Sequence, residues 1–567
     1  MSRVRDSHVQ HLVESFGQDG YSVDKSHVFY FEDKVGILAE HKEATNYDTG
    51  ERKRAYYVEG SPYQMGYLMG LMAEPEIERM TTTFIDHVVW ELLTGGKELR
   101  DGEAVEEHLE ARLRSLHEVL VALLYELSAG VFKDVPEEDI SELTGILDGC
   151  LAANRDTQVD WSELWVINVG LDCLLSLVYT GDFLLKRIPD LKANELRLPI
   201  MCNGFAVFGD AAGGGHYFGR DLMFPNGDVF QDVACLVIYS PDSSCTSCLP
   251  IVSMTAPGFV GSVAAMNLHG VAAGVDMSPA ANCDPKRPGL NSLLLVRRSV
   301  ECGGNAETAV DVMVRAQRGV SWDYIIADGG TDKACVVEAG YSTERIPFLS
   351  YPPARLAAYL PDQDFLDANP SGQVYNGLMV RWADFDYPEI YIQTFNDGLW
   401  KKFDKTLYPD AFTEMGYIDL TPKEQNCPES AYFAPQRETR SELVLVTNQF
   451  ISPEMRLCGM DPWTTRVAKG ALDDLQWRYD ELNHRILSKL AEGGTITYGV
   501  ARSLIDFLSP DGDFSDYYAR NPKSKDGKEL SICGSTSLFD LKGKTVESHF
   551  GYFCDKWIKL DLTRYFE

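Results

Sequence analysis

The stretch LPIMCNGFAVF at residues 198–208 decides the fold of this chain. It predicts a β-strand that a proline introduces and that carries Cys202 near its start. A segment rich in glycine follows at residues 209–215, and glycine supplies the positive φ values that a hairpin turn needs. An aromatic and apolar run at residues 216–224 completes the predicted hairpin.

The register of this hairpin decides which charged side chain shares a face with Cys202. We expect Phe208 to pair with Tyr217. Because side chains alternate along a strand, that register places Asp221 on the face of Cys202 and Arg220 on the other face. A slip of one residue exchanges the two side chains. In either register a thiol, a cation and a carboxylate meet at one end of the hairpin.

Cys202 becomes a complete catalytic unit if the bond between Met201 and Cys202 is cleaved. Cleavage frees an α-amino group with a pKa of about 7.7–8. This amine can accept the proton of the thiol, so that one residue carries both the nucleophile and its base. The alternative is a buried cysteine with a packing role only, which is a common environment for this residue type.

The hairpin resembles that of the acyl-coenzyme A:isopenicillin N acyltransferase group of N-terminal-nucleophile hydrolases, with bile-salt hydrolases and acid ceramidase as more distant relatives. Three other features follow the order of that family. They are a Gly-Ser-Pro helix start at residues 60–62, a polar turn at residues 267–270, and a strand that ends in Thr447 and Asn448. The resemblance implies an α+β fold, a four-layer αββα sandwich.

The resemblance also implies roles for the polar residues near the cysteine. Arg220 and Asp221 would orient the amine of Cys202 and tune its thiol. Asn448 would donate a hydrogen bond to the oxyanion, because an amide donates without adding a charge. In the structural alternative, Asn448 only caps the turn before Pro453.

Asp276 and Arg478 are the candidate substrate-binding residues. Asp276 stands at a strand end where the resemblance implies a polar residue, although relatives more often have Asn there. Arg478 belongs to a predicted helix in which relatives carry an Arg–aromatic pair. There it would hold a carboxylate or support Asn448, and a surface salt bridge is the ordinary alternative.

The chain divides into two predicted regions. Residues 1–201 form a helix-rich N-terminal segment, and residues 202–567 form the β-rich core. An insertion rich in aromatic residues, proline and aspartate interrupts the core at about residues 350–440.

Two helical patterns make specific predictions. Gly66 and Gly70 are four residues apart, so they share a helix face and allow close packing. Residues 293–317 also have a helical pattern, on which we expect Arg297, Arg298 and Glu301 to be exposed among apolar positions.

The composition of the 567-residue chain limits its partners and its compartment. The net charge of −33 argues against nucleic acid and anionic membranes, because both repel an acidic surface. Thirteen cysteines without a repeating spacing, and a polar start without a secretory signal, favour the reducing cytoplasm. We expect Cys245 and Cys248 to be a pair of thiols. No cofactor motif or metal-ligand spacing occurs.

These observations predict a self-processing N-terminal-cysteine hydrolase that acts on a linear amide C–N bond. Cleavage before Cys202 would leave an N-terminal piece that stays bound to the core. An amine acceptor in place of water would make the protein an acyltransferase that uses a thioester or an amide, and an uncleaved, non-catalytic scaffold is a third reading. The expected partner is a small-molecule amide or thioester, and homo-oligomerisation stays open.

Overall fold

The computed structural model shows an α+β chain in which helices pack against two β-sheets. It describes residues 2–45, 50–85, 107–173, 201–223, 229–245, 248–278, 289–318, 322–340, 368, 372–375, 377–386, 441–448, 450–452, 455, 479, 482–483, 485–507, 534–550 and 556–566.

The strands form one large sheet and one smaller sheet. They are β1 (Tyr21–Ser22), β2 (Val28–Phe31), β3 (Lys34–Thr45), β4 (Arg52–Gly60), β5 (Met201–Phe208), β6 (His216–Met223), β7 (Cys235–Pro241), β8 (Ile251–Thr255), β9 (Ala264–Asn267), β10 (Val271–Asp276), β11 (Trp322–Asp328), β12 (Lys333–Ala339), β13 (Gln373–Tyr375), β14 (Leu378–Trp382), β15 (Leu443–Thr447), β16 (Gly534–Asp540), β17 (Thr545–His549) and β18 (Ile558–Asp561). In the described residues the large sheet has the order β1-β3-β4-β7-β8-β9-β10-β11-β12-β14-β13, with β2 beside β3. The smaller sheet has the order β15-β5-β6-β16-β17-β18.

Helices cover both sheets. They are α1 (Ser2–Gln18), α2 (Pro62–Arg79), α3 (Glu107–Ala129), α4 (Glu137–Ala153), α5 (Trp161–Trp165), α6 (Val229–Val233), α7 (Ser292–Cys302), α8 (Ala306–Arg315) and α9 (Tyr498–Phe507). Helix α2 contacts β3 and β4, α7 contacts β9 and β10, and α9 contacts β6 and β16. The large sheet thus carries α2 and α7, and the smaller sheet carries α9.

The two sheets face one another across the main apolar core. Strand β5 contacts β10 and β11, and β15 contacts β12. Ala206 and Phe208 of β5 belong to the core between the sheets, whereas Phe205 and Val207 belong to a second core under α9. This alternation follows from the period of two along a strand, and it gives each face of the smaller sheet a different environment.

The predicted hairpin of β5 and β6 forms, but its register differs by one residue from our expectation. Phe208 pairs with His216 rather than with Tyr217. The reason lies in the turn, because Gly209 has a φ of 61° and begins a 3-10 turn, which removes it from the ladder. Cys202 consequently lies opposite Leu222.

The predicted close packing at Gly66 and Gly70 is confirmed, because both residues of α2 lie against the backbone of α4. A Cβ atom at Gly66 would collide with the carbonyl oxygen of Glu142, and one at Gly70 with that of Ile146. The predicted start of α2 is confirmed as well, since the side chain of Ser61 accepts a hydrogen bond from the backbone and caps the helix.

Arg298 is half-buried, and the prediction that Arg297 and Glu301 are exposed is wrong. Both residues are buried on α7, and Arg297 donates hydrogen bonds to Glu142 of α4 as well as to Glu301. The helical pattern itself divides into α7 and α8, since residues 303–305 separate the two helices. Arg297 therefore joins the N-terminal segment to the core through a buried ion pair.

Other expectations are only partly covered by the described residues. Cys245 and Cys248 form a disulfide, not the pair of thiols that we expected. Within the expected insertion at 350–440, β14 pairs with β12 and extends the large sheet, while most of the other residues lie outside the described ranges. Across the described part of the chain, no helix combines the length and the apolarity that a membrane crossing requires.

Candidate active site

Cys202 lies near the start of β5, with its side chain on the face that packs against the large sheet. It alternates with Asn203 and shares this face with Ala206, which belongs to the core between the sheets. Only 1% of Cys202 is exposed, and its side chain forms part of the wall of a cavity. The thiol is therefore withdrawn from bulk solvent but faces an internal space.

Asn448 directly follows β15 and contacts Cys202. Pairing of β15 with β5 brings Thr447 opposite Asn203, so that Asn448 is carried beside the cysteine. Its Oδ1 accepts the backbone N–H of Cys202 at 2.6 Å, and its Nδ2 donates to the carbonyl of Met277 at 2.7 Å. Because an N–H only donates and a carbonyl only accepts, these two partners fix the orientation of the amide.

Arg220 also points into the space between the sheets, on the same face as Cys202. It is fully buried, and its Nη1 donates to the carbonyl of Asn203 at 3.2 Å. Gly274 of β10 makes room for it, since a Cβ atom there would lie 3.0 Å from the Arg220 Cδ. The observed register thus brings the cation, and not the carboxylate of Asp221, to the thiol.

Asp276 at the end of β10 is the carboxylate on the cysteine side. Its Oδ2 lies 3.4 Å from the Nε of Arg220, and both side chains are fully buried. Asp276 was predicted as a substrate-binding residue, but the described residues that line the cavity do not include it. Its ion pair therefore holds Arg220 between the sheets.

The surroundings of Cys202 shift the pKa of its thiol both upward and downward. Burial raises the pKa of Cys202, the positive charge of Arg220 lowers it, and the negative charge of Asp276 raises it. Hydrogen bonds with Asn448 and Arg220 lower it again, yet the pKa stays above its ordinary value. In this uncleaved chain the neutral thiol is consequently favoured.

The prediction that Asp221 shares the face of Cys202 is wrong. Its Oδ2 accepts from the Nδ2 of Asn203 at 3.3 Å, and its Oδ1 accepts from the Oγ1 of Thr536 at 3.1 Å. By strand alternation it lies on the face of the smaller sheet that packs under α9. The other candidate, Arg478, lies outside the described residues.

The cavity beside Cys202 is almost entirely apolar. Its empty space is about 540 Å³, including the solvent at its mouth. The described residues that line it are Phe84, Leu171, Asp172, Cys202, Leu222, Phe230, Phe259, Val263, Val275, Met277, Leu293 and Trp322. The first three belong to the N-terminal segment, so the cavity is built from both predicted regions of the chain.

Asp172 is a polar residue of this wall that the sequence did not single out. Its carboxylate accepts from the N–H of Ser292 at 2.8 Å and from the Oγ of Ser292 at 2.9 Å, at the start of α7. Burial raises the pKa of Asp172 to about 7, although the hydrogen bonds from Ser292 lower it. Its position within an apolar run, from Leu164 to Leu185, was the only signal available.

The sequence did not single out two further carboxylates, which form a row with Asp276 across three strands. Asp276 pairs with Asp323 of β11, which pairs with Glu338 of β12, so the three side chains share the face toward the smaller sheet. Burial, followed by the charge of Glu338, raises the pKa of Asp323 well above its ordinary value. Asp323 and Glu338 each interrupt an apolar strand, and that interruption is the signal that could have found them.

No group of three or more histidine, cysteine, aspartate or glutamate side chains is arranged to hold a metal ion within the described ranges. The arrangement instead assembles a thiol, a fixed amide, a buried cation and an apolar cavity. These groups can support nucleophilic attack on a carbonyl.

Comparisons with known proteins give one sequence relative and partial structural likenesses. The chain matches no protein-family model. An uncharacterized protein of Archaeoglobus fulgidus is 29% identical over 519 residues, which cover 91% of this chain and 66% of that protein. The chain therefore spans about two thirds of the length of this relative.

Two solved structures are similar to parts of the chain. A Caenorhabditis elegans N-acylethanolamine-hydrolyzing acid amidase ortholog is 14% identical, with a TM-score of 0.20, over 24% of this chain and 58% of that protein. A mutant of the conjugated bile acid hydrolase from Clostridium perfringens is 10% identical, with a TM-score of 0.31, over 64% of this chain and 93% of that protein. Likeness at these TM-scores is partial and establishes neither a shared fold nor a shared activity.

Proposed function

We propose that this chain is a self-processing N-terminal-cysteine hydrolase of linear amides, with a four-layer αββα fold. One observation carries the proposal. The backbone nitrogen and the thiol of Cys202 are both held by Asn448, beside a buried Arg220 and at the wall of an apolar cavity. A cysteine with only a packing role needs none of these polar contacts.

Self-processing begins with the thiol of Cys202 and the carbonyl of Met201. The sulfur attacks the carbonyl carbon, the C–N bond breaks, and the nitrogen of Cys202 takes a proton as it becomes an amine. Water then hydrolyses the thioester, which releases the carboxylate of Met201 and regenerates the thiol. Asn448 already accepts the N–H of Cys202, and the same oxygen afterwards holds the new amine.

Turnover uses the freed amine as the base. The amine takes the thiol proton, the thiolate attacks the substrate amide, and the leaving amine takes that proton back. Asn448 and a backbone N–H stabilise the oxyanion. The cation of Arg220 favours the thiolate and is itself held by Asp276. Water hydrolyses the acyl-enzyme, whereas an amine in its place completes acyl transfer.

The cavity indicates the substrate class. Its lining is apolar except for Asp172, whose carboxylate is occupied by Ser292. Burial of apolar surface contributes about 25 cal/mol per Å² to binding, so this space favours an apolar acyl group. We therefore propose small amides of apolar carboxylic acids as substrates.

Turnover of a matched series of amides tests the proposal. The series joins one chromogenic amine to acyl groups that range from polar to long and apolar. The wild-type protein is expected to release the amine, and the apolar members are expected to have the highest kcat/KM. Cys202→Ala should lose about a thousand-fold or more.

Cys235→Ala is the matched control, because Cys235 is also a buried, free cysteine on a strand, β7. It should keep the wild-type rate. Turnover that survives Cys202→Ala, or a wild-type protein inert toward the whole series, would contradict the proposal. Products formed with an added amine would separate acyl transfer from hydrolysis.

A further inference from the structure

Glu338 of β12 and Arg381 of β14 form a buried ion pair between the two sheets. The Nε of Arg381 donates to Oε1 of Glu338 at 2.7 Å, and the two side chains are at most 1% exposed. Neither residue belongs to the described lining of the cavity beside Cys202. Their position therefore requires an explanation other than contact with a substrate.

Glu338 binds the chain just after Asn448. Its Oε1 accepts the N–H of Ile451 at 2.9 Å, and its Oε2 accepts the N–H of Ser452 at 3.1 Å and the hydroxyl of Ser452. The two oxygens of one carboxyl group thus accept hydrogen bonds from two successive backbone N–H groups and a hydroxyl. Glu338 thus fixes the backbone that begins three residues beyond Asn448.

Arg381 binds the chain just before Asn448. Its Nη2 donates to the carbonyl of Leu445 at 3.2 Å. An apolar contact strengthens the same region, since Phe450 packs with Met379 and Met455 in a small buried cluster. The ion pair therefore holds the segment around Asn448 from both sides.

The cost of this ion pair argues that its use is geometric. Removal of two charges from water carries a large desolvation penalty, and apolar residues of similar volume often stabilise a fold equally well. Apolar residues cannot form hydrogen bonds with the backbone. The ion pair does so on both sides of Asn448, with a carbonyl before it and two N–H groups after it. Those contacts fix the direction in which Asn448 leaves β15.

We infer that Glu338 and Arg381 are positioning residues, which hold Asn448 so that its amide meets the backbone nitrogen and the thiol of Cys202. The inference rests on the proposed function of that site. Glu338 and Arg381 act through Asn448 and touch no reacting atom.

A double-mutant cycle tests this inference. Self-cleavage of freshly made precursor is timed by intact mass for Glu338→Gln, Asn448→Ala and the double variant. Glu338→Gln keeps the shape of the side chain but lacks the charge. We expect it to slow cleavage at least ten-fold on its own. In the Asn448→Ala background it should slow cleavage no further, because a positioning residue acts through its target.

Glu142→Gln is the matched control. Glu142 is a buried carboxylate that also binds an arginine, Arg297, but it lies between α4 and α7. Glu142→Gln should lower the melting temperature as Glu338→Gln does, but its cleavage rate should stay within about two-fold of the wild-type rate. Equal slowing in both variants would assign Glu338 to general stability and overturn the inference. Additive losses in the double-mutant cycle would overturn it too.

A second measurement keeps the inference separate from the proposed function. Hydrogen exchange at the backbone N–H of Cys202 reports its bond to Asn448 without any chemistry. In the Cys202→Ala background, Glu338→Gln should speed this exchange to the level of Asn448→Ala, and Glu142→Gln should not. Failure of the wild-type chain to cleave would then contradict the proposed function, whereas unchanged exchange in Glu338→Gln would contradict the positioning role.

Discussion

Burial and two nearby charges shift the pKa of the Cys202 thiol in opposite directions, and the balance of these shifts sets its reactivity. Burial raises its pKa, the guanidinium of Arg220 lowers it, and the carboxylate of Asp276 raises it. The loss of either charge therefore changes the fraction of thiolate at a given pH. Both charged side chains lie between the two sheets, on the same side as the thiol.

Asp276→Asn removes the carboxylate that raises the pKa of Cys202. The pKa should therefore fall, and alkylation of Cys202 by iodoacetamide should reach its half-maximal rate at a lower pH. Peptide mass analysis at a series of pH values measures this midpoint. A thermal unfolding curve checks that the variant folds, because Arg220 then lacks its buried partner.

Asp221→Asn is the comparison that tests the register of the hairpin. Asp221 binds Asn203 and Thr536 on the other face of the smaller sheet. Its substitution should move the alkylation midpoint less than Asp276→Asn does. The reverse order would show that Asp221, and not Asp276, lies with the thiol.

The sequence located the hairpin and its cysteine but not the face of Asp221. Alternation of side chains is strict, so an error of one residue at the turn inverts every assignment along the strand. The turn contains several glycines, and a glycine at position 209 can either continue the strand or begin the turn. The sequence therefore does not decide between the two registers. The resemblance in order singled out Asn448, whereas its bond to the carbonyl of Met277, just after β10, is visible only in the structure.

At the scale of elements, helices α2 and α4 approach so closely that glycine is required at their crossing. Gly66→Ala would place a methyl group against the carbonyl oxygen of Glu142. Overpacking of this kind costs about 1–3 kcal/mol, and a backbone neighbour cannot move aside as a side chain can. We expect a corresponding loss of unfolding free energy in urea.

Gly17→Ala is the control on another helix, α1. No atom lies within 4 Å of a Cβ atom built at Gly17. Alanine should stabilise the protein there by about 0.5–1 kcal/mol, because it has the higher helix propensity. A Gly66→Ala protein as stable as the wild type would contradict the observed crossing.

Helical and strand periodicity predicted most elements well, because it reports which face of an element is apolar. It failed for Arg297, which appears polar in the pattern but is buried. Its partner Glu142 lies 155 residues earlier in the chain, and local periodicity contains no information about such a contact. The same limit applies to Glu338, which accepts from Ile451 and Ser452 more than 100 residues later in the chain.

At the scale of the whole molecule, the N-terminal segment is part of the core. Strand β4 pairs in parallel with β7, so residues on both sides of Cys202 share the large sheet. Phe84 and Leu171 also line the cavity. After cleavage, residues 1–201 and 202–567 should therefore remain together in native size-exclusion chromatography and separate only on denaturation.

The intact mass of freshly purified protein under denaturing conditions tests the central claim most directly, with Cys202→Ala measured beside it. We expect two fragments in the wild-type sample, 1–201 and 202–567, and a single full-length chain in Cys202→Ala. A single uncut chain in both samples after prolonged incubation would contradict self-processing by Cys202.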